Sequence, residues 1–171
     1  MHFCEIFKNL ALIPQNRNGI FKILINENFI MKALYKAKAT ATGGRDSSVS
    51  TDDGTLDFDL SVPKGLGGAG GDGTNPEQLF AAGYSACFGS ALAHVAREKK
   101  VDLGAYTVTA TVKIGKNEED MFQLAVVLDC YLPTVDVEEG EELVNEAHEV
   151  CPYSRATMDN IDVTLNLLLD E

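Results

Sequence analysis

From Leu79 to Ala96 the chain runs for 18 residues without an Asp, Glu, Lys or Arg. No other feature restricts the fold as strongly. A helix uncharged all round belongs in an interior. Its start is written just upstream, with Asn75 as cap, Pro76 at the first helical position and Glu77 in the first turn. Arg97, Lys99 and Lys100 suit its C-terminal end. The run is near the lower limit of a membrane span. Gly83, Ser85, Gly89, Ser90 and His94 interrupt it, however, and the rest of the chain is acidic, so it reads as a core helix with His94 as a hydrogen-bonded core histidine. The small residues Ala82, Gly83, Ala86, Ser90 and Ala91 would let a second helix come close. A chain of 171 residues has few helices with which to cover this one, so self-association is a natural cover.

Composition narrows the function classes. The formal net charge is −12, the only arginines are Arg17, Arg45, Arg97 and Arg155, and no basic cluster occurs. Such a chain is a poor nucleic-acid binder and a poor ligand for anionic membranes. The cysteines stand at 4, 87, 130 and 151 with no CxxC, which excludes a zinc ribbon and a thioredoxin-type motif. Leu10–Pro14 is too short for a signal-peptide core, so a cytoplasmic location is expected, with thiols that are buried, catalytic or redox-sensing.

Around the helix the pattern is α+β. Residues 32–42 and 55–62 read as strands flanking a Gly43-Gly44-Arg45-Asp46 turn region. Residues 105–114 alternate, with Tyr106, Val108, Ala110, Val112 and Ile114 on the apolar face. A strand over 121–132, an acidic helix over 137–150, a short helix over 153–160 and a closing strand over 161–169 follow. Gly65–Gly70 fits GxGxxG, but the helix begins too late and no ribose-binding acid follows, so no dinucleotide is expected. His148 and Cys151 are too few ligands for a metal, and neither a metal nor a cofactor is expected. Residues 1–30 carry a charge of +1 against −13 for 31–171, and Met31-Lys32-Ala33-Leu34-Tyr35 reads as a start. We expect an extension over 1–30 and one domain over 31–171.

Cys87 sits mid-helix, where a small buried hydrophobe is the plain reading. Cys130 alternates in a strand and reads as structural. Cys151 precedes Pro152 at the start of the short helix. It is either a helix breaker or a thiol whose pKa the helix N-terminus lowers.

Taken together, Gly43–Asp46, Asn75-Pro76-Glu77-Gln78-Leu79-Phe80-Ala81-Ala82-Gly83-Tyr84-Ser85-Ala86-Cys87-Phe88 and Val150-Cys151-Pro152-Tyr153-Ser154-Arg155-Ala156-Thr157 resemble the organic hydroperoxide resistance proteins. These are a branch of the larger osmotically inducible protein (OsmC/Ohr) family. The resemblance covers 31–171. It implies antiparallel sheets around a long buried central helix, in an intertwined homodimer. It implies a cysteine-based peroxidase that reduces organic hydroperoxides to alcohols, recycled by a lipoylated protein or dihydrolipoamide. Cys87 is then the peroxidatic thiol and Cys151 the resolving one, with Arg45 and Glu77 as the pair organising the site.

The chemistry suits those roles. Attack on an O–O bond needs a thiolate, which an arginine beside the sulfur favours. The product sulfenic acid condenses with a second thiol to a disulfide. Glu77 and Cys87, ten residues apart, are ~15 Å and ~80° apart on a straight helix. Either Arg45 bridges that gap or the two groups serve one site from different subunits. Phe80, Tyr84, Phe88 and Tyr153 are the candidate walls of an apolar substrate pocket. A non-turnover redox-sensing or small-molecule-binding dimer, and a structural dimer with buried cysteines, are the competing readings.

Overall fold

The computed structural model describes residues 31–170 and two short strands before them, β1 (Ile13–Pro14) and β2 (Phe21–Lys22), which pair antiparallel. The rest of the expected extension, Cys4 included, lies outside the described residues. The chain divides into two compact units, Met1–Lys38 and Ala39–Glu171. In the first, residues 31–38 form no strand and are exposed, so only the end of the strand expected over 32–42 exists.

The second unit carries every motif. A small antiparallel sheet joins β3 (Ala39–Thr42), β4 (Ser48–Thr51) and β5 (Asp57–Asp59), and the turn from β3 to β4 presents Arg45. Gly43 and Gly44 take φ of 81° and 126° there, a region that favours glycine. The glycine-rich loop that follows has a packing reason for at least one of its residues. A Cβ on Gly68 would run into the carbonyl and side chain of Val62.

Helix α1 spans Pro76–Lys99. Asn75 caps it by accepting from the Gln78 amide at 2.9 Å, and Lys100 ends it in a left-handed conformation. Next come β6 (Thr107–Lys116), β7 (Phe122–Tyr131), α2 (Val137–Val150), α3 (Pro152–Thr157) and β8 (Asp162–Leu168). Strands β6 and β7 form an antiparallel hairpin, but β7 and β8 run parallel, so the main sheet is mixed and not antiparallel as expected. The α2–α3 crossover is the cause: a strand that returns after a helical crossover re-enters in its predecessor's direction.

The apolar face of the alternating strand turns inward as the pattern requires. Val108, Ala110 and Val112 join Val126, Leu128 and Cys130 of β7 and Val163, Leu165 and Leu167 of β8 beneath α1 and α2. Lys99 Nζ ties α1 to α2 through Glu142 at 3.0 Å and Glu146 at 2.8 Å. By length and composition α1 could cross a membrane. Here it buries Tyr84, Phe88, Ala91, Leu92, Val95 and Ala96 in the protein core. Its opposite face is open: Ala82, Ala86, Ser90 and His94 are exposed in the single chain. His94 is therefore not a core residue. It contacts Arg97 at 3.0 Å and Glu98 at 3.5 Å on the surface.

Candidate active site

Two polar constellations lie along α1. The first is at its N-terminus. Arg45 donates from Nη1 and Nη2 to the two carboxylate oxygens of Glu77, each at 2.8 Å. The fork geometry makes this a strong, oriented pair. The hydrogen bond holds the Glu77 carboxyl below its ordinary range against the opposing effect of burial, and the same bond raises Arg45. The pair opens on a cleft of about 370 Å³ whose apolar walls include Phe80, Ile114, Phe122 and Leu124.

The second lies further along the helix. Cys151 Sγ is 3.5 Å from Cys87 Sγ, and both thiols are free. Helix α1 supplies Cys87. Cys151 is supplied by the junction where α2 ends, its amide closing the last turn on the Ala147 carbonyl at 2.9 Å, and where α3 begins with Pro152. Pro152 forces the chain direction to change at this point, and the change aims the Cys151 side chain at α1. Cys151 is fully buried and Cys87 half-buried.

Burial pushes the Cys87 thiol up; the main-chain amide of Tyr153 pulls it back by hydrogen bonding, and neighbouring Cys151 pushes it up again. The net direction is upward. Within one chain the arginine expected beside the thiol is engaged by Glu77. Cys151 does not cap α3 through its side chain; an amide of the first turn of α3 serves Cys87. Cys130 is fully buried, with its pKa pushed up to about 12 mainly by desolvation, and reads as inert.

Of the four candidate wall residues, Phe80 lines the Arg45–Glu77 cleft and stacks on Tyr153 with ring centroids 6.0 Å apart and planes 12° from parallel. Tyr153 borders a second, apolar groove of about 380 Å³ against Val49, Phe58 and Ala82. Tyr84 and Phe88 have no exposed surface and belong to the core, because they lie on the sheet-facing side of α1. Sequence reasoning gave no role to two residues of the Cys151 motif. Ser154 and Thr157, both buried, hold the Tyr84 hydroxyl at 3.0 and 3.1 Å. Their spacing of three and six residues from Cys151 was visible in the sequence, but a partner 70 residues away was not.

A mixed sheet under a long helix, with a free thiol of that helix in contact with one at the α2–α3 junction of the crossover, defines a dithiol protein of α+β architecture. The sequence profile described as OsmC-like protein matches residues 68–166. An organic hydroperoxide resistance protein of Xanthomonas axonopodis pv. citri (strain 306) is 53% identical over 137 residues, which is 80% of this chain and 96% of the relative. OhrB of Bacillus subtilis (strain 168), also named an organic hydroperoxide resistance protein, is 49% identical over 136 residues, 79% of this chain and 98% of its own. The crystal structure of such a protein from Elizabethkingia anophelis superposes with a TM-score of 0.77 at 52% identity, covering 82% of this chain and all of that one. One from Legionella pneumophila gives 0.76 at 49%, covering 80% and 99%. The chain belongs to the OsmC-like family, in its organic hydroperoxide resistance branch.

Proposed function

We propose that the chain is a thiol peroxidase that reduces organic hydroperoxides to alcohols. The observation that carries the reading is the 3.5 Å contact of two free thiols, one half-buried and one fully buried. The Cys87 thiolate attacks the peroxide, the O–O bond breaks, and the alkoxide leaves as alcohol after taking a proton, with Cys87 oxidised to sulfenic acid. Cys151 then attacks that sulfur; the S–S bond forms, the S–O bond breaks and water leaves. A dihydrolipoyl dithiol, free or carried on another protein, reduces the disulfide and is itself oxidised to the lipoyl disulfide.

Arg45 and Glu77 act as a unit that favours the thiolate and orients the peroxide. Arg45 is committed to Glu77, and Glu77 lies ten residues from Cys87, so we assign the pair of one subunit to the thiol of a partner in a homodimer. The open face of α1, with Ala82, Ala86 and Ser90, supports close pairing of two such helices in an intertwined dimer. The working unit is the domain over 31–171, with 1–30 as an extension, and the site of action is the cytoplasm.

The test follows loss of cumene hydroperoxide with dihydrolipoamide present. Repeated turnover by the wild type and by a chain starting at Met31, none by Cys87→Ser, and one oxidation followed by sulfinic acid in Cys151→Ser support the proposal. Turnover by Cys87→Ser refutes the assignment. A single stoichiometric oxidation of the wild type favours redox sensing, and no oxidation at all favours a structural dimer.

A further inference from the structure

Between α1 and α3 lies a polar contact in an otherwise apolar core. Ser154 and Thr157 are the buried polar side chains among the described residues, and both meet Tyr84. Tyr84 is three residues before Cys87 on α1 and Ser154 three after Cys151 in α3, so each bonded residue lies about one turn along the backbone from a cysteine. Helix α3 has only six residues and does not cap itself with a side chain. The three hydroxyls are not equivalent. Thr157 Oγ1 also reaches the carbonyls of Tyr153 and Ser154, each at 3.0 Å, whereas the Ser154 hydroxyl is bonded to Tyr84.

The sulfurs are 3.5 Å apart, and a disulfide needs about 2.05 Å. Closure therefore requires a small shift made from a fixed starting distance, and reactions of this kind are sensitive to misplacement. We propose, resting on the peroxidase reading above, that Tyr84 is a positioning residue for the resolving step: its hydroxyl bonds to Ser154 and Thr157 register α3 on α1 and thereby set the reach of Cys151 to the Cys87 sulfenic acid. Tyr84 touches neither sulfur through its hydroxyl and takes no proton in the reaction. Its role is in the partition of the sulfenic acid. Attack by Cys151 forms S–S with loss of water, whereas a second hydroperoxide oxidises the same sulfur to sulfinic acid and leaves as alcohol.

The experiment oxidises reduced wild type, Tyr84→Phe and Ser154→Ala with a range of cumene hydroperoxide concentrations and measures by mass spectrometry the ratio of Cys87–Cys151 disulfide to Cys87 sulfinic acid. Cys151→Ser marks the limit of no resolution. Loss of the tether is expected to lower that ratio about tenfold in Tyr84→Phe and by less in Ser154→Ala, where Thr157 still holds the hydroxyl, with the rate of the first oxidation within about twofold of wild type, and the double variant should be no worse than Tyr84→Phe. A role in stability alone lowers the melting temperature without moving the ratio. Should Tyr84→Phe fail to fold, the Ser154→Ala/Thr157→Val double variant, which removes both partners of the Tyr84 hydroxyl, decides. A wild-type ratio in the folded variants overturns the proposal, whereas wild type that forms no disulfide at all overturns the peroxidase reading beneath it.

Discussion

Arg45 commits both terminal nitrogens to one carboxylate, that of Glu77, at 2.8 Å each. A guanidinium held in this way has a fixed plane and one free edge, a suitable geometry for a peroxide oxygen or a partner's thiolate. Arg45→Ala should slow the first oxidation by tenfold or more, the loss of ~1.4 kcal/mol at the transition state. Glu77→Ala should be milder, and the double variant no worse than Arg45→Ala. Rapid-mixing measurement of all three forms the cycle, and fully additive losses would show that the pair does not act as one.

The sign of the pH effect follows from the surroundings of Cys87. Burial raises its pKa, so in the single chain the thiolate fraction falls at any given pH and reactivity climbs only as pH rises. In the dimer proposed above, a guanidinium delivered by the partner subunit would oppose this. The midpoint of alkylation rate against pH should therefore lie higher in Arg45→Ala than in wild type. Equal midpoints would remove Arg45 from the thiol's surroundings.

Gly140 ties α2 to the sheet. A Cβ there would come within 2.7 and 2.9 Å of the Leu167 methyls and 3.3 Å of Val135. Gly140→Ala should cost ~1–3 kcal/mol by overpacking. At Gly115 nothing lies within 4 Å of the added atom, so Gly115→Ala should stay within about 0.5 kcal/mol of wild type. Urea unfolding of both variants checks the contrast, and equal stabilities would contradict the packing of α2 on β8.

The cleft beside Arg45 is walled by Phe80, Ile114, Phe122 and Leu124. Burying an alkyl group there is worth ~0.8 kcal/mol per methylene, and hydrogen peroxide has none to bury. Four buried carbons give ~3 kcal/mol, about a hundredfold in catalytic efficiency if fully expressed at the transition state. Cumene hydroperoxide should be preferred to hydrogen peroxide by that order with the same reductant. Equal efficiencies would show that the cleft takes no part in substrate choice.

Much of the frame was legible in the sequence for identifiable reasons. The Asn75-Pro76 start and the basic end delimit α1 because capping is local chemistry. The alternation at 106–114 shows which face is buried because a strand's period is two. Strand β4 escaped notice because Ser48-Val49-Ser50-Thr51 is short, polar and half-buried throughout. The parallel pairing of β8 depends on where a crossover lands, which no local pattern records. The site divides in the same way. Cys87, Cys151, Arg45 and Glu77 stood out through motifs that resemble a family, whereas the Tyr84–Ser154 bond depends on a tertiary contact between helices. Placing Tyr84 and Phe88 in a pocket wall failed because proximity along a helix does not say which side faces the sheet.

The dithiol peroxidase mechanism is tested most directly by treating the reduced protein with one equivalent of cumene hydroperoxide per chain and mapping its cysteines by peptide mass spectrometry while measuring the alcohol formed. The expected result is one alcohol per chain, one intramolecular disulfide between Cys87 and Cys151, and an unmodified Cys130. Peroxide consumed with Cys87 and Cys151 both still reduced, or a disulfide that includes Cys130, would contradict it.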